Sequence, residues 1–291
     1  MRTAFPAGIL SIGRDFVGCE ELRCLRFNLR TRPDVRRAVR VERLNASWCA
    51  PGNRIESYNY ETRKAEQEMC ARYTLTIDLT QLQRRFSFVA EDIPYVPRFN
   101  VAPTQQVLAL VNEEEVQPAF LRWGLIPPWA KDHKIGNRMI NARAETVAEK
   151  PSFRRALARR RCLVLADGFY EWRAQAGKKK TPVRVTLKSG EPFAFAGLWE
   201  TWRPRDGEAI RSCTIITTEP NSFMEPIHNR MPVILSRDAE SAWLDKGIED
   251  TDLLTGLLEP YPSEEMEAYQ VSTVVNSPRN DLPACIVPLD E

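Results

Sequence analysis

The stretch RCLVLADGFYEW, residues 161–172, decides how this chain is read. It opens as an apolar strand and runs into a glycine and an aromatic cluster. Three further segments downstream, PVRVTL (182–187), EPFAFAGLWETW (191–202) and SCTIITT (212–218), read as strands of the same sheet. Upstream, YTLTI (73–77), QVLALV (106–111) and AFLRWGLI (119–126) have the same character, the last stopped by Pro127 and Pro128. Between the strands lie brief helical texts. DLTQLQRRF (78–86) carries Asp78 as N-cap and sets Leu79, Leu82 and Phe86 along one side, and PSFRRALARR (151–160) opens on Pro151. DAESAWL and TDLLTGLL follow late, with Asp238 and Thr251 or Asp252 as caps, and YQVSTVV (269–275) reads as a last strand. PYVPRFNVAPTQ (94–105), with Pro94, Pro97 and Pro103, reads as an extended loop. Many short strands with short helices indicate an α+β fold, a curved mixed or antiparallel, barrel-like sheet with peripheral helices. The long alternating helices of a doubly wound sheet are missing, as are GxGxxG and GxxxxGK[ST], so nucleotide folds are disfavoured.

Composition narrows the class further. Hydrophobic residues make up 43% and charged residues 27% of 291, a globular mix. No window approaches 18 consecutive apolar residues, so a membrane helix is not expected, and the first 20 residues lack a secretory signal pattern. Residues 1–68 hold thirteen basic residues, twelve of them Arg, against nine acidic ones; residues 69–291 hold 28 against 30. Nucleic-acid binding would therefore use a local patch and not bulk charge. Seven cysteines without a framework point to a reducing compartment, here cytoplasmic, and with only His133 and His228 no zinc spacing exists. No metal and no cofactor is expected. Residues 1–68 sustain neither helical nor strand periodicity, and the texture changes at Met69. The expected organisation is thus an Arg-rich extension, 1–68, followed by one catalytic domain, 69–291.

Several polar residues stand inside apolar, aromatic text. They are Asn141 and Arg143 in MINARAE, Glu171 in DGFYEW, His228 and Arg230 in PIHNRMP, and Cys70 and Arg72 in MCARY. Glu171 beside Phe169, Tyr170 and Trp172 is partly desolvated, a setting suited to general acid–base work; it also fits a surface position at a strand end. His228 titrates in the useful range, or caps a helix end. His133 sits in a polar loop and reads as a surface residue. Cys162, Cys213 and Cys285 read as core residues, and Cys70 is the one cysteine that sits neither in nor beside a plausible core strand.

The same segments resemble the SOS-response-associated peptidase (SRAP) family, which includes bacterial and eukaryotic sensors of abasic sites. The matching pieces are MCARYTL, PRFNVAPTQ, RWGLIPPWA, MINARAET, RCLVLADGFYEW, FAFAGLWE, TIITTEPN and IHNRMPVIL, spread from residue 69 to about 287. The resemblance implies a reactive Cys70 following Met69, with Asn141, Glu171 and His228 completing the catalytic group. It implies DNA contacts at Arg72, Arg143 and Arg230, and also at Asn100, Pro103, Trp123 and Trp129. The family usually reads MCGR where this chain reads MCAR, and Ala71 is tolerated there if its φ stays negative. The implied activity is a covalent thiazolidine crosslink between an N-terminal cysteine and the ring-opened aldehyde of an abasic site in single-stranded DNA. The competing readings are a thiol (auto)peptidase using Cys70 and His228, and a noncovalent single-stranded-DNA binder. A monomer is the default, recruited by replication partners that the residues do not name.

Crosslinking needs Cys70 as the first residue of the mature chain. Three routes are open. Translation starts at Met69 and the methionine is removed; residues 1–69 are a propeptide lost by self-cleavage; or the extension stays and this copy does not crosslink. If it stays, it is expected to pack poorly on the domain and to block the DNA groove.

Overall fold

The computed structural model describes residues 71–89, 93–175 and 178–289. The expectations placed on residues 1–70, Cys70 among them, lie outside the described residues.

Among the described residues twelve strands form two sheets. The first sheet is antiparallel and combines β1 (Tyr73–Leu75), β2 (Arg98–Val101), β7 (Gly168–Gln175), β8 (Lys178–Leu187) and β12 (Met266–Gln270), in the order β12-β8-β7-β1-β2. The second contains β3 (Gln106–Asn112), β4 (Val116–Trp123), β6 (Arg161–Ala166), β9 (Phe193–Trp202) and β10 (Ile210–Thr218). These five close into a barrel, because β10 pairs with β9 on one edge and with β4 on the other. The β4–β10 pairing is parallel and the others around the ring are antiparallel. Where β4 leaves that edge, β5 (Asn141–Arg143) continues it in parallel, and β11 (Met231–Pro232) pairs antiparallel with the end of β10. The architecture is α+β with a closed barrel and short peripheral helices, as read from the sequence.

Every residue of β6 is buried, because a barrel strand covered from outside has no wet face. At Gly197 of β9 a Cβ would come within 2.8 Å of Cys162 Sγ, so only glycine lets these two neighbouring strands approach. The sheets share one core through an aromatic chain: Tyr73 meets Trp123 at 5.4 Å and Phe195 at 5.7 Å, and Phe169 meets Phe195 at 6.2 Å. Helix α1 (Leu79–Phe86) starts on Asp78, whose side chain accepts from Gln81 N at 3.0 Å, and buries Leu82. Helices α2 (Arg154–Arg159) and α3 (Arg237–Leu244) both end on Arg161. Its buried guanidinium donates to the carbonyls of Leu157, Ala158, Trp243 and Asp245, closing both helix ends. Helix α4 (Thr251–Thr255) completes the set.

Four local expectations are corrected. RCLVLADGFYEW is two strands, because Asp167 ends β6 and the chain crosses there from the barrel to the other sheet. PYVPRFNVAPTQ contains β2, since only Arg98–Val101, between its prolines, is free to pair. The caps of α3 and α4 are Ser236 and Asp250, each one residue ahead of its helix. YQVSTVV leaves the sheet after Gln270, and Thr273–Asn276 is a 3-10 turn.

Candidate functional site

The chain after Ala71 is fixed to β7. Tyr170 N donates to Arg72 O at 3.0 Å, and Tyr73 and Thr74 pair with Phe169 and Gly168. A buried polar knot holds this junction. Asp167 accepts from the Thr74 hydroxyl at 2.6 Å, from Thr76 N at 2.9 Å and from the Thr76 hydroxyl, with Arg184 alongside at 3.3 Å. Glu171 follows two pairs further along β7, only 2% exposed.

Arg72 reaches the C-terminal part of the chain. Its Nη1 donates to Asn100 Oδ1 at 2.9 Å and to Val275 O at 2.8 Å, and its Nη2 to Asn276 O at 3.2 Å. The guanidinium also lies 5.8 Å from the Trp172 ring centre. Burial lowers the proton affinity of Arg72, with the Cys285 and Tyr170 fields opposing. Trp172 Nε1 donates to Asn276 Oδ1 at 2.8 Å, which brings the 3-10 turn to the middle of β7. His228 arrives from the segment between β10 and β11, where its N–H bonds Met224 O at 2.9 Å. Its Nδ1 is 3.2 Å from Arg230 N and 3.3 Å from Arg230 O. The neutral ring accepts the N–H and keeps its proton on Nε2; the protonated ring donates to the carbonyl. Burial lowers the His228 pKa, the bond to the Arg230 carbonyl raises it, and the charge of Lys180 lowers it again. The net shift is downward, so His228 stays neutral to lower pH than a free imidazole.

These segments meet around one cleft of about 300 Å³, lined by Ala71, Arg72, Glu171, Trp172, Lys180, His228 and Asn276. A buried carboxyl group and an imidazole on one cavity can give and take protons at a bound molecule.

The other predicted positions divide. Asn141 is half-buried on β5 opposite Ile215 of β10 and is not among the residues lining the cleft; Arg143, two residues on, is exposed. Arg230 makes a two-point pair with Glu145 and donates to Thr217 O at 2.7 Å. Trp129 is 59% exposed beyond the two prolines, and Pro103 is half-buried in the turn before β3. Two expectations are corrected. Trp123 is 1% exposed and its Nε1 donates to Ile140 O at 2.8 Å, so it supports the strand bearing Asn141 and has no face for a base. Asn100 is fully buried; its Nδ2 serves the carbonyls of Val275, Ser277 and Asn280, so it anchors the C-terminal turn instead of touching DNA. Cys162, Cys213 and Cys285 are core residues, and burial pushes the first two thiols up. His133 is exposed. Among the described residues no group of three or more His, Cys, Asp or Glu gathers as a metal site, and no helix is long and apolar enough to cross a membrane.

The sequence reading missed Lys180 and Asn276. Lys180 sits in a KKK run, which reads as a solvated strand end. Asn276 had one signal: Asn-Ser-Pro is turn text, and it contradicts a strand through Val275.

Fold and cleft define a small barrel protein with an acid–histidine cavity beside β7 and β8 of its five-stranded antiparallel sheet. The chain belongs to the SOS response associated peptidase (SRAP) family, whose model matches residues 69–278. It is 50% identical over 222 residues to the abasic site processing protein YoqW of Bacillus subtilis, covering 75% of this chain and 99% of that one. It is 52% identical over 217 residues to the abasic site processing protein YoaM of the same organism, covering 73% and 95%. Among solved structures, a protein from Bacteroides thetaiotaomicron superposes with a TM-score of 0.66 at 29% identity, covering 76% of this chain and all of that one.

Proposed function

We propose that this protein processes abasic sites in single-stranded DNA by forming a thiazolidine crosslink through Cys70. The observation that carries the reading is that Ala71, the residue after Cys70, lines the same cleft as Glu171 and His228. Family membership and two relatives named for abasic site processing support the substrate.

The chemistry uses both functional groups of an N-terminal cysteine. The α-amine, with a reference pKa of about 7.7–8.0, attacks the aldehyde carbon of the ring-opened sugar. Water leaves as the imine forms, and the thiol then adds to the imine carbon and closes a five-membered ring. Since both groups belong to one residue, the second step is intramolecular. Glu171 protonates the sugar ring oxygen as it opens, and His228 moves protons during carbinolamine breakdown. Asn141 orients the amine or a sugar hydroxyl from β5. Arg143, exposed next to it, meets a flanking phosphate.

The amine exists only if residues 1–69 are absent from the mature chain. The family model begins at Met69, which supports a junction there. The family's description as a peptidase supplies the competing chemistry, with Cys70 as nucleophile and His228 as base, and that chemistry needs no free amine. Intact mass of the protein from its native host, before and after incubation with single-stranded DNA bearing one abasic site, tests the proposal. The expected product is a chain starting at Cys70 that gains the oligonucleotide mass less one water. A chain starting at Met1 with no adduct would overturn it, as would an adduct that survives acetylation of the amino end.

A further inference from the structure

The cationic side chains around the cleft are not equivalent. Arg72 has its Nη1 group and one side of Nη2 engaged by Asn100, Val275 and Asn276. Arg230, two residues beyond His228, has its charge met by Glu145. Lys180 is exposed, lines the cleft, and its side chain makes no hydrogen bond or ion pair among the described residues. It is near enough for its charge to act on His228. A second free donor shares the cleft. The indole N–H of Trp172 can only donate, so its bond to Asn276 fixes the amide with Oδ1 toward the ring. Asn276 Nδ2 is thereby left as an oriented donor, on an exposed residue, with no partner among the described residues.

We infer that Lys180 and Asn276 form an anion-binding lip of the cleft, and that its ligand is a backbone phosphate of single-stranded DNA next to the lesion. The inference rests on the single-stranded-DNA reading above. A phosphodiester carries one negative charge over two free oxygens. An ammonium point charge and a neutral amide N–H₂ match that pair, and neither residue must leave an existing partner to bind. Engagement of Arg72 is then a positioning matter: it holds the backbone of the turn that presents Asn276.

The test separates this lip from the covalent chemistry by using an oligonucleotide with a tetrahydrofuran abasic analogue, which has no aldehyde. Affinity of the mature protein from its native host is measured by fluorescence anisotropy from 50 to 300 mM salt, for the unsubstituted protein and for Lys180→Gln, Lys180→Arg and Asn276→Asp. Losing one phosphate contact on a single strand should flatten the slope of log K against log salt by about 0.7. Lys180→Gln should show that change with affinity several-fold weaker, Lys180→Arg should restore both, and Asn276→Asp should weaken binding while leaving the melting temperature unchanged. A Lys180→Gln protein with unaltered slope overturns the inference, whether or not its affinity falls. So does a variant that binds the analogue normally yet forms no adduct with a true abasic site, since Lys180 would then act on the chemistry. If the unsubstituted chain binds the analogue but never forms an adduct, the crosslinking proposal fails and the lip stands.

Discussion

Replacing Asp167 by Asn keeps the shape of the side chain and removes its charge at the point where the chain crosses between the sheets. Both carboxylate oxygens are occupied as acceptors, one by the Thr74 hydroxyl with Arg184 beside it, the other by the Thr76 N–H and hydroxyl. An amide must turn its NH₂ toward one of these sets, where it faces the Arg184 guanidinium or the Thr76 N–H, while the threonine hydroxyls can rotate and accept. On the better choice one charge-assisted bond is lost, at about 1.5–3 kcal/mol, and the two that survive become neutral bonds, each weaker by about 1 kcal/mol. The Asp167 and Arg184 side chains are 4% and 9% exposed, so solvent gives little screening. Removing one partner from a buried pair costs about 3–5 kcal/mol by that separate route, and the two agree. For a domain of this size each kcal/mol moves Tm by about 2–4 °C, so the drop should be roughly 6–20 °C. Thermal unfolding followed by circular dichroism, with urea midpoints as a second measure, gives the number. A double cycle with Arg184→Met should show coupling of about 0.5–3 kcal/mol. A Tm within about 2 °C of the parent would refute the argument that this knot holds β1 to β7.

Glu171→Gln should lower the single-turnover rate of adduct formation by roughly 10²–10⁴-fold, read on denaturing gels, with affinity for the tetrahydrofuran analogue retained; a loss under tenfold would remove Glu171 from proton transfer. His228 gives a signed pH dependence of stability. Its folded pKa lies below the unfolded value of about 6.5, chiefly through burial, so the unfolded chain binds the proton more readily. The stability it contributes is complete above about pH 6.5 and is lost as pH falls through that value toward the folded pKa. The Tm difference between the parent and His228→Gln should therefore be flat from pH 8 to 6.5 and shrink by pH 5; a difference that widens on acidification would contradict the shift.

The barrel strands were legible because each is a short apolar run whose ends carry local punctuation. What was not legible depended on partners far away in sequence. Nothing near Asp167 marks it as a crossing, since its ligands Thr74 and Thr76 lie more than 90 residues upstream. Trp123 and Trp129 look alike in RWGLIPPWA, yet one completes the aromatic chain with Tyr73 and the other stands in solvent past the prolines. Nothing near Arg72 shows that its carbonyl acceptors lie some 200 residues on. The cleft follows the same logic. Ala71–Arg72, Glu171–Trp172, Lys180, His228 and Asn276 come from separate segments, and each segment's local text is readable alone. Their convergence is carried by a few long-range bonds: Tyr170 to Arg72, Arg72 to the 275–276 carbonyls, and Trp172 to Asn276. Glu171 and His228 therefore owe their meeting to a polar scaffold of Arg72, Asn100 and Trp172. A substitution in that scaffold should alter adduct formation without touching either Glu171 or His228, because it moves Asn276 and the start of β1 relative to both.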